Sequence, residues 1–200
     1  MKPIIFTKTL PPPEIDIREI LRYAGERGSG EELLPLVKEA ISEAEDKLVY
    51  RVCYTVLPIS VLDGRVCFGD ALTLSSNKLC ERLSGCDRAA VFAATVGIEM
   101  DRLIKKSGVC SPLRALIFQA LGAERVEALC DAFCDGLRSE FGSLTPRFSP
   151  GYSDLSLFAQ RDVLTLLDSE KSIGLTLNES LLMSPTKSVS AIVGIRKSKL

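Results

Sequence analysis

The sequence predicts an α+β fold in a single domain spanning residues 1–200, with antiparallel sheet regions packed against several helices. Three observations carry the prediction. Strand-like and helix-like stretches come in separated runs rather than in a repeating strand-helix-strand order, and hairpin-like strand pairs sit towards both ends. The stretch Ala89–Val96 is also too apolar for a half-exposed strand, so it is expected at the centre of a sheet, buried on both faces. With 200 residues, 46% of them hydrophobic and 26% charged, the chain can bury a core of its own without disulfides.

Residues Pro3 to Phe6 read as a short edge strand stopped by Pro11, Pro12 and Pro13, which lack backbone donors. Ile15, Ile17, Ile20, Leu21 and Tyr23 then recur at helical spacing up to Gly25. Ser29 with Glu32 forms a capping-box pattern ahead of a second helix, whose apolar face is Leu33, Leu34, Val37, Ala40, Ile41, Ala44 and Leu48. From Val49 to Phe68 the residues turn β-branched and aromatic on either side of Asp63-Gly64, a hairpin signal. Ser75 or Ser76 can cap a short helix through Leu83. After the buried strand, Gly97 leads into a helix through Lys106, and Ser111-Pro112 opens the longest element, a helix over about 112–140. A loop rich in Gly, Ser and Pro follows from Phe141 to Ser153, then a helix from about Leu155 to Leu167. Ile173–Leu177, Leu181–Met183 and Ser188–Ile195 close the chain as short strands.

Composition narrows the function. Lysine and arginine number 25 against 26 acidic residues, so no charge excess draws the chain to nucleic acid or to an anionic membrane. No stretch approaches the 18 apolar residues of a membrane span and no apolar leader follows Met1, which leads us to expect a cytoplasmic protein. Histidine is absent, which excludes Ser-His-Asp and Cys-His catalytic units and every His-ligated metal, haem or corrinoid centre. The seven cysteines contain no C-x-x-C pair; Cys130 and Cys134 share a helix face among apolar neighbours and read as small core residues.

What remains is Arg147-Phe-Ser-Pro-Gly-Tyr152. A guanidinium fork can hold a carboxylate through two parallel bonds, Gly151 lets a ligand lie against the backbone, and Tyr152 offers a flat face with a polar tip. Taken alone, the pattern also fits an ordinary loop with a surface arginine. On the long helix, Glu124, Glu127, Asp131 and Asp135 are spaced so that all point one way. Such a stripe is usually a solvated face, unless Glu127 lies under the Arg147 loop, where it could pair with a ligand's ammonium.

Three segments in order, Arg147-Phe-Ser-Pro-Gly-Tyr152, Ile173-Gly-Leu-Thr-Leu-Asn-Glu-Ser-Leu-Leu-Met183 and Lys187-Ser-Val-Ser190, resemble the activation domain of vitamin B12-dependent methionine synthase, in its short free-standing version. The motif-bearing part is about 91–195. Ser153-Asp154-Leu155 stands where the large enzymes carry Ala-Cys-Pro, and Asn178 where threonine is commoner. The resemblance implies binding of S-adenosylmethionine and the reductive remethylation of inactive cob(II)alamin. It implies that Arg147 holds the methionyl carboxylate, that the backbone at Ser149 and Gly151 lines the adenosyl group, and that Tyr152 packs the pocket. Glu127 would lie near the amino group, and Glu179 would match the glutamate of a Thr-Glu-Ser segment. A chain without histidine cannot supply the lower ligand of a base-off corrinoid, so cobalamin is expected on a partner, a cobalamin-binding methionine synthase chain or another corrinoid protein. A flavodoxin- or ferredoxin-like donor would provide the electron. The alternative from a different class is a non-catalytic docking or chaperone module for a corrinoid protein.

Overall fold

The computed structural model describes residues 3–26, 28 and 30–196. In chain order its elements are β1 (Phe6–Thr9), α1 (Ile17–Tyr23), α2 (Leu34–Ala44), β2 (Arg51–Leu62), β3 (Arg65–Phe68), β4 (Leu72–Ser75), α3 (Asn77–Arg82) and β5 (Cys86–Thr95). There follow α4 (Glu99–Cys110), α5 (Pro112–Phe141), α6 (Ala159–Leu166), α7 (Ser169–Ile173), β6 (Thr176–Leu177), β7 (Met183–Ser184) and β8 (Ser188–Arg196). The predicted α+β class holds.

The main sheet runs β4-β3-β2-β5-β8, with β1 paired to the first residues of β2, and all its pairings are antiparallel. Alternation along each strand sends side chains to two opposite cores. Val52 and Tyr54 of β2, Phe92 of β5 and Val193 of β8 face α1, α2, α4 and α5. Cys53, Val91 and Ile192 face α3, α6 and α7. Because β5 lies between β2 and β8 and is covered on both faces, its sequence is almost wholly apolar.

The hairpin turn falls at Asp63-Gly64, both at positive φ (49° and 74°), a turn that matches the twist of its strands. Helix α5 starts at the expected pair: the Ser111 hydroxyl accepts from the Arg114 amide and Pro112 fills the first helical position. Ser76, rather than Ser75, caps α3.

Several expectations need correction. The first strand lies at Phe6–Thr9, not Pro3–Phe6, because β2 offers pairing partners from Arg51 to Tyr54 and the Phe6 ring packs on Tyr54 at 5.4 Å. The first helix starts at Ile17 rather than Ile15, since Asp16 caps it by accepting from the Arg18 and Glu19 amides. Ser29 lies outside the described residues, and α2 begins after Leu33 with no side-chain cap. Of the expected strand over Ile173–Leu177 only Thr176–Leu177 is extended, as β6, and Ile173 is the last residue of α7. Asp168 turns left-handed after α6 (φ 44°), and the Ser169 hydroxyl donates to the Leu175 carbonyl at 2.8 Å, which coils the intervening residues. The helix after the Gly-rich loop starts at Ala159 rather than Leu155, and β4 is an addition to the predicted elements.

Candidate functional site

The loop between α5 and α6 is laid along the free edge of β8. The Phe148 amide donates to the Ile192 carbonyl and the Ile192 amide to the Phe148 carbonyl, both at 2.9 Å, while the Thr145 amide donates to the Gly194 carbonyl at the same distance. This short bridge gives the loop a strand's pleat. Phe148 goes down into the core shared with α6, and Arg147 turns the other way, onto α5. The two neighbours therefore belong to different sides of the molecule.

On the α5 side, Arg147 Nη2 donates to Glu127 Oε2 at 2.8 Å and to Asp131 Oδ1 at 3.0 Å. Both bonds leave through one nitrogen, so Nε and Nη1 carry no hydrogen bond to a carboxylate among the described residues. Burial lowers the guanidinium pKa, but the neighbouring acidic groups Cys130, Glu127 and Asp131 outweigh it and hold the pKa above its ordinary value. Beneath the arginine, Cys130 and Cys134 are buried core residues; desolvation pushes both thiols up, Cys134 to about 11.

The acidic stripe does not act as a unit. Glu124 is 4% exposed and forked against Arg125, itself 1% exposed, with Arg125 Nε and Nη2 donating to its two oxygens at 2.5 Å. Arg125 also donates to the Pro13 and Glu14 carbonyls at 2.7 and 2.6 Å, which ties the triple-proline segment to α5. Asp135 pairs with Arg138 on its own helix. Only Glu127 and Asp131 meet the loop, on the edge of an open cavity of about 440 Å³ that Glu124, Asp135, Asp16 and Tyr23 also line.

Ser149 and Gly151 form the turn of the loop. The Tyr152 amide donates to the Ser149 carbonyl at 3.1 Å and the Gly151 amide to the Leu155 carbonyl at 2.9 Å. Gly151 has φ 85° and its missing side chain leaves room for Leu157, 3.1 Å from where a Cβ would sit, so conformation and packing both call for glycine. Tyr152 stands on the opposite side from Arg147: its ring packs edge-on against Phe148 at 5.4 Å and is 61% exposed. Glu179 lines a separate cavity with Arg161 and Asp168, and the Arg161 guanidinium donates to its backbone carbonyl at 2.9 Å. The structure thus brings Arg147 and Glu127 together and sets Tyr152 and Glu179 apart from them.

Two features escaped the sequence reading. Asp131, expected only as part of the acidic stripe, is the second carboxylate on Arg147; its place one turn after Glu127 was the available signal for that pairing. Asp154 accepts from the Ser76 hydroxyl and from the Asn77 amide, the latter at 2.8 Å, so it pins the end of the loop to the start of α3. Nothing in the local sequence announces a cap supplied from so far along the chain.

The profile of the vitamin B12-dependent methionine synthase activation domain matches residues 76–199. That stretch begins at the serine which Asp154 grips. Among solved structures, the chain is similar to one described as the MetH reactivation domain bound to AdoHcy, with a TM-score of 0.71 and 17% identity over the whole of this chain and 80% of that one. At that identity the likeness concerns the fold. No curated protein matches.

Proposed function

We propose, since this chain belongs to the family of vitamin B12-dependent methionine synthase activation domains, that it binds S-adenosylmethionine and serves the reductive remethylation of cob(II)alamin held by another protein. The observation that carries the site is the pairing of Arg147 with Glu127 and Asp131 beneath a loop anchored to β8. A methionyl group bears a carboxylate and an ammonium, and the sulfonium adds a second positive charge. Nε and Nη1 of Arg147 suit the carboxylate, while Glu127 and Asp131 suit the ammonium. The acidic cavity on this side favours a ligand of net positive charge. In this reading the backbone at Ser149 and Gly151, the latter without a side chain, lies against the adenosyl group, and Tyr152 contributes by clamping the loop onto Phe148.

When bound, the ligand supplies an electrophilic methyl group, and the corrinoid carries the redox change. One electron from a donor protein and the methyl of the sulfonium convert cob(II)alamin to methylcobalamin, leaving S-adenosylhomocysteine. This chain's part is to fix the ligand's orientation towards the partner. With no histidine among its 200 residues, it cannot provide a histidine lower ligand, so that ligand must come from the partner.

The test combines this chain, S-adenosylmethionine, a chemical reductant and a cob(II)alamin-loaded methionine synthase fragment lacking its own activation domain. Methylcobalamin should form well above the level seen without this chain; no gain would reject the proposal. A second reading, a docking or chaperone module that ignores the ligand, draws on the fact that Arg147 is already engaged by two carboxylates. Arg147→Ala separates them, because a docking module keeps its effect on the partner.

A further inference from the structure

A second cavity, of about 630 Å³, lies on the far side of the same loop, between the loop, α3 and the end of β8. Its volume falls within the range of small-molecule sites, about 300–1,000 Å³. Pro146, Phe148 and the exposed ring of Tyr152 give it an apolar, partly aromatic wall, and Arg82 and Arg196 give it a cationic one. The single carboxylate in the lining, Glu81, is neutralised by Lys78 at 2.8 Å. Arg82 and Arg196 have no carboxylate within salt-bridge distance among the described residues. Two guanidinium groups facing one cavity without an acidic partner repel each other unless an anion enters between them. The molecule therefore carries cavities of opposite character, an acidic one against α5 and a basic one between the loop and α3.

We infer that the basic cavity binds a phosphate ester carrying a planar base, with the phosphate taken by Arg82 and Arg196 and the base laid against Tyr152. The inference goes beyond the methyl-donor site and is independent of it, since a cationic wall disfavours a sulfonium. Phosphate oxygens match the guanidinium fork through two parallel bonds, and an aromatic face beside a cationic wall fits a nucleotide better than a bare anion.

The experiment is a calorimetric titration of the full chain with adenosine 5′-monophosphate, with inorganic phosphate and adenosine as separate probes. Saturable binding of the monophosphate is expected, at least tenfold tighter than either probe alone and weakening as salt is raised. Arg82→Gln and Arg196→Gln should each weaken it tenfold or more with an unchanged circular dichroism spectrum, and Arg147→Ala should leave it intact. Absence of binding by the monophosphate, equal binding by phosphate or by adenosine, or displacement by S-adenosylmethionine would each overturn the assignment. The binding results with the monophosphate, phosphate and adenosine leave open whether S-adenosylmethionine binds beside Arg147, which its own titration against Arg147→Ala decides.

Discussion

Arg125 and Arg147 both face carboxylates of α5, and their burial gives them different work. Arg125 spends its donors on Glu124 and two proline-segment carbonyls at 1% exposure. Removing it strands a buried carboxylate, so Arg125→Ala should lower stability by about 3–5 kcal/mol in urea unfolding. Arg147 and its partners stay partly in solvent, so its two ion pairs contribute little to folding, about 1 kcal/mol or less. Arg147→Ala should therefore fold normally and fail in ligand binding. Asp154 is tested by pH. Hydrogen bonds from the Ser76 hydroxyl and the α3 amides, the hydroxyl first, hold its carboxyl below the ordinary carboxylate value. A depressed folded pKa gives stability that is present above the unfolded value of about 3.9 and lost as pH falls through the lower folded one. Asp154→Asn should thus be less stable than the parent at neutral pH, with the gap closing in acid denaturation below that window. The thiols supply a further check. Burial pushes Cys53 up to about 12 and Cys134 to about 11, and Cys130 higher still, whereas Cys110 is exposed. Alkylation followed by mass spectrometry should label Cys110 first and spare the three buried thiols until the chain unfolds.

At the scale of elements, α5 holds the molecule together by laying Phe133 on the sheet. Its ring lies 5.0 Å from Tyr54 of β2 and 4.9 Å from Phe92 of β5, and Phe133 is 2% exposed. Phe133→Ala should cost about 3–5 kcal/mol by the cavity it leaves, read as a fall in the urea midpoint with an unchanged slope. Such elements were legible in the sequence because local chemistry and burial agree in them. Ser111-Pro112 caps and starts α5, Asp63-Gly64 turns the hairpin, and the apolar run at Ala89–Val96 marks a strand covered on both faces. Where local pattern and tertiary contact diverge, the reading failed. Ile173, Leu175 and Leu177 alternate as a strand would, yet the Ser169–Leu175 bond and the reversal at Asp168 make Ile173 the last residue of α7 and leave only Thr176–Leu177 as strand. The start of β1 was likewise decided by register against β2, which one strand's sequence cannot reveal.

For the whole molecule, the arrangement that matters is a sheet between two helical layers with one loop strapped to its edge. The strap sends Arg147 to one layer, onto two carboxylates at the edge of an acidic cavity, and Phe148 to the other, where it lines a basic one. Much of the first was legible: Arg147 and Glu127 were singled out by chemistry and the structure joins them at 2.8 Å. The division itself was not, because it follows from the pairing of Phe148 with Ile192, a contact between residues far apart in the chain. The same pairing sends Arg147, at one end of the motif, onto the carboxylates of α5, while Tyr152, at the other end, lines the basic cavity. The central claim is that the α5 side binds S-adenosylmethionine through Arg147, and calorimetric titration of the purified chain beside Arg147→Ala tests it most directly. The account predicts one-site binding by the parent and a loss on the order of 2 kcal/mol, about 30-fold, in the variant. Equal affinity in both proteins, or no binding by the parent, would contradict it.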